Sequence, residues 1–243
     1  MKYLNKVAPI TLLFWLMKVV ATTLGETLGD FISMTLNYGY MAGLAITLVI
    51  LVVALLIQLN AKEYEPVKYW FVIIGTTTLG TEISDFIDRT LRMGYLFGSI
   101  ILALCLAVSI LFWYRTYKNL EVYPIVEKKK ELLFWIAVLF SNSLGTAFGD
   151  FLSDNLGLSY LHGAMVTGSI IILVVLLHYF TKLNQILLFW IAFIFTRPFG
   201  ATFGDFLTKP FAKGGLELST LYASLCSLTL MTIMIAIAHK KKA

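Results

Sequence analysis

Residues 22–33 read TTLGETLGDFIS, and related phrases return at 77–88 (TTLGTEISDFID), 142–153 (NSLGTAFGDFLS) and 197–208 (RPFGATFGDFLT). The matches are positional as well as compositional. A tryptophan stands fifteen residues before each aspartate: Trp15, Trp70, Trp135 and Trp190 precede Asp30, Asp85, Asp150 and Asp205. A phenylalanine follows each Asp, and a glycine lies five residues before it, at Gly25, Gly80, Gly145 and Gly200. Coincidence does not place this many matches in one frame, so the chain is four copies of one unit. The copies are 55, 65 and 55 residues apart, the pattern of a duplicated pair of hairpins.

Working outward from the motif, the flanking sequence is too apolar for water. Of 243 residues, 59% are hydrophobic and 14% charged, whereas a soluble domain carries about a quarter charged residues. A membrane span needs roughly 20 mainly apolar residues, and eight such stretches fit, at about 9–36, 40–59, 67–90, 95–114, 132–154, 160–180, 186–208 and 218–238. The expected fold is an all-α membrane protein, a single transmembrane domain over 1–243. Its four two-helix repeats cover approximately 9–60, 67–115, 132–181 and 186–239. The polar connections are too short for a soluble catalytic domain. Because each repeat crosses twice, all four enter the membrane in the same direction, unlike the inverted repeats of many exchangers.

The net charge of +5 reads as topology rather than nucleic-acid binding. Thirteen basic residues, including Lys2, Lys6, Lys62, Lys68, Arg115 and Lys128–Lys130, fall on one side of an eight-span arrangement; four, Arg89, Arg92, Lys209 and Lys213, fall on the other. The positive-inside rule then puts both termini in the cytoplasm. The first apolar segment carries a copy of the motif, so it is expected to be retained rather than cleaved as a signal peptide. Cys105 and Cys226 lie singly in apolar spans and suggest packing, not a metal or a disulfide.

The motif spacing also assigns faces. Gly25 with Gly29, Gly145 with Gly149, and Gly200 with Gly204 are four apart, and Gly80 with Ser84 is the variant. Small residues at that spacing let helices approach closely in lipid. On the adjoining face run polar stripes: Thr22, Glu26, Asp30 and Ser33; Thr78, Glu82, Asp85 and Asp88; Asn142, Thr146, Asp150 and Ser153; Thr202, Asp205 and Thr208. The odd-numbered helices should therefore form an inner bundle, and the uniformly apolar even-numbered ones an outer ring.

The resulting T-x-G-x-x-x-G-D-F pattern, over nearly the whole chain, resembles a bacterial family of small integral-membrane proteins assembled from a repeat of unknown function. That resemblance implies an architecture in the bacterial inner membrane and no particular activity. A second resemblance is to cation/proton exchangers carrying a Glu-x-Gly-Asp-Lys/Arg-Thr/Ser motif. Glu26-Thr27-Leu28-Gly29-Asp30 differs from it by one extra residue and by lacking the basic residue after the Asp.

Carboxylates inside spans normally face an interior or a water-filled cavity. Six are candidates for ion binding: Glu26, Asp30, Glu82, Asp85, Asp150 and Asp205. Lys18 and Arg197 share their helices and are the expected counter-ions, Arg197 with Asp205 and Lys18 with Glu26 and Asp30. The remaining excess of four negative charges must hold protons or a cation. Oxygen donors of this kind suit Mg²⁺, Ca²⁺, Mn²⁺, Na⁺ or H⁺ and give no zinc or copper preference. The four Asp are expected around a common central site, with Glu26 and Glu82 one turn deeper. A secondary transporter or permease for a small cation, proton-coupled, is the leading expectation, without cofactor, enzymatic step or nucleic-acid partner and with the lipid bilayer as surroundings. A non-transporting scaffold or sensor is the alternative, in which each Asp only holds the bundle together. An intramembrane aspartyl protease is disfavoured because no Gly-x-Gly-Asp occurs, and an ATP-driven pump because no phosphate-binding loop does.

Overall fold

A computed structural model describes residues 5–242; Lys2, counted above toward the basic side, lies outside them. Eight α-helices follow in order: α1 (Leu12–Asp30), α2 (Gly39–Leu59), α3 (Pro66–Asp85), α4 (Gly94–Tyr117), α5 (Lys128–Asp150), α6 (Tyr160–Phe180), α7 (Gln185–Thr208) and α8 (Thr220–Lys242). Seven are long and apolar enough to cross a membrane. The exception, α3, falls short because Thr76, Thr77, Thr78 and Thr81 dilute its hydropathy. Fifteen of its 20 residues are buried; those hydroxyls donate to carbonyls of α3 itself, and Thr77 and Thr81 also reach carbonyls of α1. The chain is a multi-pass helical membrane protein.

Helices α1, α3, α5 and α7 form a closed inner ring in chain order, α7 returning to α1. The glycines explain the closure. A Cβ on Gly25 would lie 2.8 Å from the Thr77 backbone, one on Gly80 3.0 Å from the Asn142 backbone, one on Gly145 2.9 Å from Pro198, and one on Gly200 2.8 Å from the Thr22 backbone. Thr22, Thr77, Asn142 and Arg197 occupy the same position in their repeats, so each glycine meets the next copy at an equivalent point. Gly29, Gly149 and Gly204 extend the contact one turn further, against Thr81, Ala201 and Glu26. Side chains in these places would force the backbones apart.

The even-numbered helices lie outside, and their position is staggered. Each rests mainly on the inner helix of the following repeat: α2 on α3, α4 on α5, α6 on α7, and α8 on α1. In the most apolar stretches of α1, α5 and α7, 61–67% of residues are buried, against 22–28% in α2, α4, α6 and α8. That difference marks the outer four as the lipid-facing layer.

Below the glycines, at the end of the ring that holds the termini, the axis is packed with large side chains. Tyr69, Trp70, Phe134, Trp135, Phe193 and Met17 are nearly inaccessible. The N-terminal segment straps this end: Tyr64 N–H donates to the Asn5 carbonyl (2.7 Å) and Lys6 N–H to that of Ile125 (2.9 Å). Lys6 is not the surface charge the sequence suggested. It is buried and pairs with the buried Glu131, which also accepts from Gln58 Nε2 at 2.8 Å.

At the opposite end, the first three inner helices do not stop at the repeated Asp. Each continues for one wider turn, Phe31–Thr35, Phe86–Thr90 and Phe151–Asn155, closed by i→i+5 bonds such as Leu36 N–H to the Phe31 carbonyl (2.9 Å). Wide turns of this kind cluster at functional sites. The chain then reverses through Asn37, Arg92 and Gly157, equivalent positions with φ of 56°, 57° and 70°. In the fourth copy α7 runs to Thr208 without the wide turn, and a longer connection precedes α8.

Candidate functional site

One position just past the repeated Asp brings cations to the carboxylates. Four residues after the Asp stand Met34, Arg89, Asp154 and Lys209. Two of these are cations, in alternate repeats, and each bridges its own Asp to that of the next inner helix. Arg89 pairs with Asp85 (Nε–Oδ1 3.2 Å) and with Asp150 (Nη2–Oδ2 3.2 Å). Lys209 Nζ lies 3.3 Å from Asp205 Oδ1 and 2.5 Å from Asp30 Oδ2. All four aspartates are buried, at 1–3% exposure, while the two cations retain 18–25% side-chain exposure. The aspartates thus lie just beneath the hairpin-turn end, capped by basic groups.

Arg89 is further clamped. Its Nη1 donates to the Tyr40 hydroxyl at 2.9 Å, and its guanidinium lies 5.7 Å from the Tyr40 ring and 5.9 Å from that of Tyr95. Tyr40 and Tyr95 therefore hold this cation in place.

One level deeper, Arg197 crosses the axis. From α7 its Nη2 donates to Glu26 Oε2 (3.0 Å) on α1, to Thr81 Oγ1 (2.6 Å) on α3 and to Thr146 Oγ1 (2.6 Å) on α5. Its Nη1 donates to the Thr22 carbonyl at 3.3 Å. The side chain is fully buried and joins all four inner helices. Arg197 is a counter-ion as the sequence suggested, but of Glu26 and not of Asp205. Its length lets it reach across the ring, whereas Asp205 is already held by Lys209.

Lys18 occupies the next level down. It donates to Asn142 Oδ1 at 2.9 Å and lies 4.1 Å from the centre of the Phe193 ring. Asn142 in turn donates to Thr76 Oγ1 at 3.1 Å. Lys18 thus makes no ion pair with Glu26 or Asp30 among the described residues: Asn142 and the Phe193 ring hold its ammonium, and the two carboxylates are taken by Arg197 and Lys209.

The sequence stripes are right for repeats 1 and 3 and rotated in repeats 2 and 4. Thr77 and Thr81, not Thr78 and Glu82, are the ring-facing pair of the second copy: Thr77 donates to the Ala21 carbonyl (3.1 Å) and Thr81 to that of Gly25 (3.2 Å). Glu82, one residue later and so about 100° around the helix, faces α2 beside Gly43. It does not join Glu26. Similarly, Thr202 packs against Gly163 of α6 while Arg197 faces the ring.

Among the described residues, one carboxylate cluster has the spacing of a cation site: one oxygen each of Glu26, Asp30 and Asp205 lies within 4.8 Å of the others. Hard oxygen donors in this number suit an alkali or alkaline-earth ion or a proton. Lys209 ammonium now stands beside two of the three. Arg89 and Lys209, counted in the sequence with the charges on the turn side, set four cations with Lys18 and Arg197 against the six candidate carboxylates. Their shared position four residues after Asp85 and Asp205 was the signal for them, since i and i+4 share a helix face.

No curated protein and no solved structure matches the chain. The family described as "Repeat of Unknown Function (DUF347)" matches four times in succession, over residues 13–64, 68–119, 133–184 and 188–243. These segments coincide with the four helical hairpins, and the chain belongs to this family of repeat-built proteins.

Proposed function

We propose that the protein is a secondary transporter for a small cation, coupled to protons, with Glu26, Asp30 and Asp205 as the core of the ion site. One observation carries the reading: the three buried carboxylates converge within 4.8 Å, with a tethered ammonium at two of them. Lys209 is then a resident cation that cargo displaces. Its flexible stem and partial exposure let it leave toward the hairpin-turn end, and its return would expel the ion. Asp85 and Asp150, held by Arg89, complete the ring without offering a free position. Arg197 spans the axis below, so ions do not pass along a continuous pore; a carrier that exposes the site alternately to each side fits this geometry better than a channel.

The reading includes the bacterial inner membrane with both termini cytoplasmic, which follows from the basic asymmetry and is checked by reporter fusions after Lys62 and Lys182. It assigns no enzymatic step and no cofactor. The test is flux: purified protein in liposomes should take up one of Na⁺, K⁺, Mg²⁺, Ca²⁺ or Mn²⁺ under a pH gradient, and Asp30→Asn should abolish uptake. A different observation favours a scaffold or sensor, namely that Arg197 ties α7 to each of the other three inner helices. If no cation is transported and none raises the melting temperature, that second reading holds.

A further inference from the structure

Of the six carboxylates singled out in the spans, Glu82 alone has neither a hydrogen-bond donor nor an ion partner among the described residues. It is fully buried. Its head lies in a notch made by Gly43 of α2, where a Cβ would come within 2.6 Å of both carboxylate oxygens. The neighbouring Thr47 cannot help, because its hydroxyl is donated to the Gly43 carbonyl at 2.8 Å. The equivalent notch in the other half of the molecule, Gly163 of α6, receives the methyl group of Thr202. The second copy therefore puts a carboxyl group where the fourth puts a hydrocarbon.

An ionised carboxylate stripped of water and left without a partner is far too costly to keep, and such groups neutralise. No neighbour offers a spare positive charge. From α1 the nearby titratable groups are Glu26 and Asp30, both anions and already engaged by Arg197 and Lys209. Helix α2 contributes only Tyr40, which accepts from Arg89. On α3 and its wide turn, Asp85 and Arg89 are paired and Asp88 accepts from Ser84. Asp150 of α5 is held by Arg89, and α8 brings the exposed Tyr222 and Cys226.

We propose that Glu82 is a proton-binding site: the notch holds its neutral carboxyl, and separation of α2 from α3 admits water, which takes the proton. Once charged, the carboxylate cannot return to the notch until it is protonated again, so proton occupancy is tied to the α2–α3 contact. The site is distinct from the Glu26–Asp30–Asp205 cluster. Its link to cation flux rests on the transporter reading; the proton itself does not.

Infrared spectroscopy of the full chain in lipid nanodiscs tests this directly, because a protonated carboxyl has a carbonyl stretch separate from that of a carboxylate. At neutral pH the wild type should show the acid band, and Glu82→Gln, which matches the neutral acid in shape, should lack it while melting with the wild type. Gly43→Ala, which fills the notch, should shift the group to its ionised form and shrink the same band. An acid band unchanged in both variants overturns the proposal. So does a band that Na⁺ or Mg²⁺ removes at fixed pH, since the site would then hold a metal ion. The outcome separates from the transporter reading: the band without flux in liposomes retains the proton site and removes the transporter, and flux without the band does the reverse.

Discussion

Two junctions of the inner ring, α3 with α5 and α7 with α1, are equivalent by a half turn about the axis, and each is closed by one cation between two aspartates. The chemistry differs. Arg89 spreads its charge over a rigid fork that meets Asp85 and Asp150 separately, and Tyr40 and Tyr95 fix its plane. Lys209 is a compact charge on a flexible stem, held by its two aspartates and by no cation–π contact among the described residues. An arginine in such a setting is a brace, whereas a lysine is a charge that can be exchanged for another. The two junctions use one repeat position for two purposes, one fixed and one replaceable.

The largest effect that would break this comparison is deletion. Arg89→Ala leaves two buried carboxylates without their cation and should cost about 3–5 kcal/mol, lowering the melting temperature in every buffer. Lys209→Ala should cost about 2 kcal/mol, and millimolar Na⁺ or Mg²⁺ should recover it by entering the vacated position. Equal losses with no cation rescue at either site would erase the distinction. Exchange of side chains sharpens it. Arg89→Lys loses the fork and the ring contacts and should cost about 1–2 kcal/mol; Lys209→Arg should melt with the wild type yet show no stabilisation by added cation. The smallest effect is expected for Tyr40→Phe, which removes one hydrogen bond to Arg89 and should lower stability by about 1 kcal/mol. A loss no larger than that of a lipid-facing change such as Val53→Leu would mean that Tyr40 does not hold the brace.

The ring itself was legible because its determinants recur at one position in every copy. Gly25, Gly80, Gly145 and Gly200 can be aligned by eye, and small residues four apart have one straightforward use in lipid. The ion pairs were not legible in the same way. Arg197 sits two turns before Asp205 in sequence, yet its partner is on another helix, and sequence does not rank partners across a ring. Arg89 and Lys209 stand at the last turn or cap of their helices, where a basic residue reads as topology, and their side chains turn back onto Asp85 and Asp205. Glu82 failed for a subtler reason. The four-then-three spacing of Thr78, Glu82 and Asp85 fits a helical stripe as well as Thr77, Thr81 and Asp85 do, and only aligning the copies residue by residue chooses the second.

The stagger of the outer helices has a consequence for how the molecule is made. Because α2, α4 and α6 each cover the inner helix that follows, each of the first three hairpins leaving the ribosome waits for its successor before its outer arm has a seat. The first inner helix waits longest: its outer flank is covered by α8, the last of the eight helices in chain order. Assembly therefore ends where it began, with the final helix acting as a clasp on the first. No single hairpin is a complete folding unit, and the bundle becomes whole in one closing step rather than copy by copy.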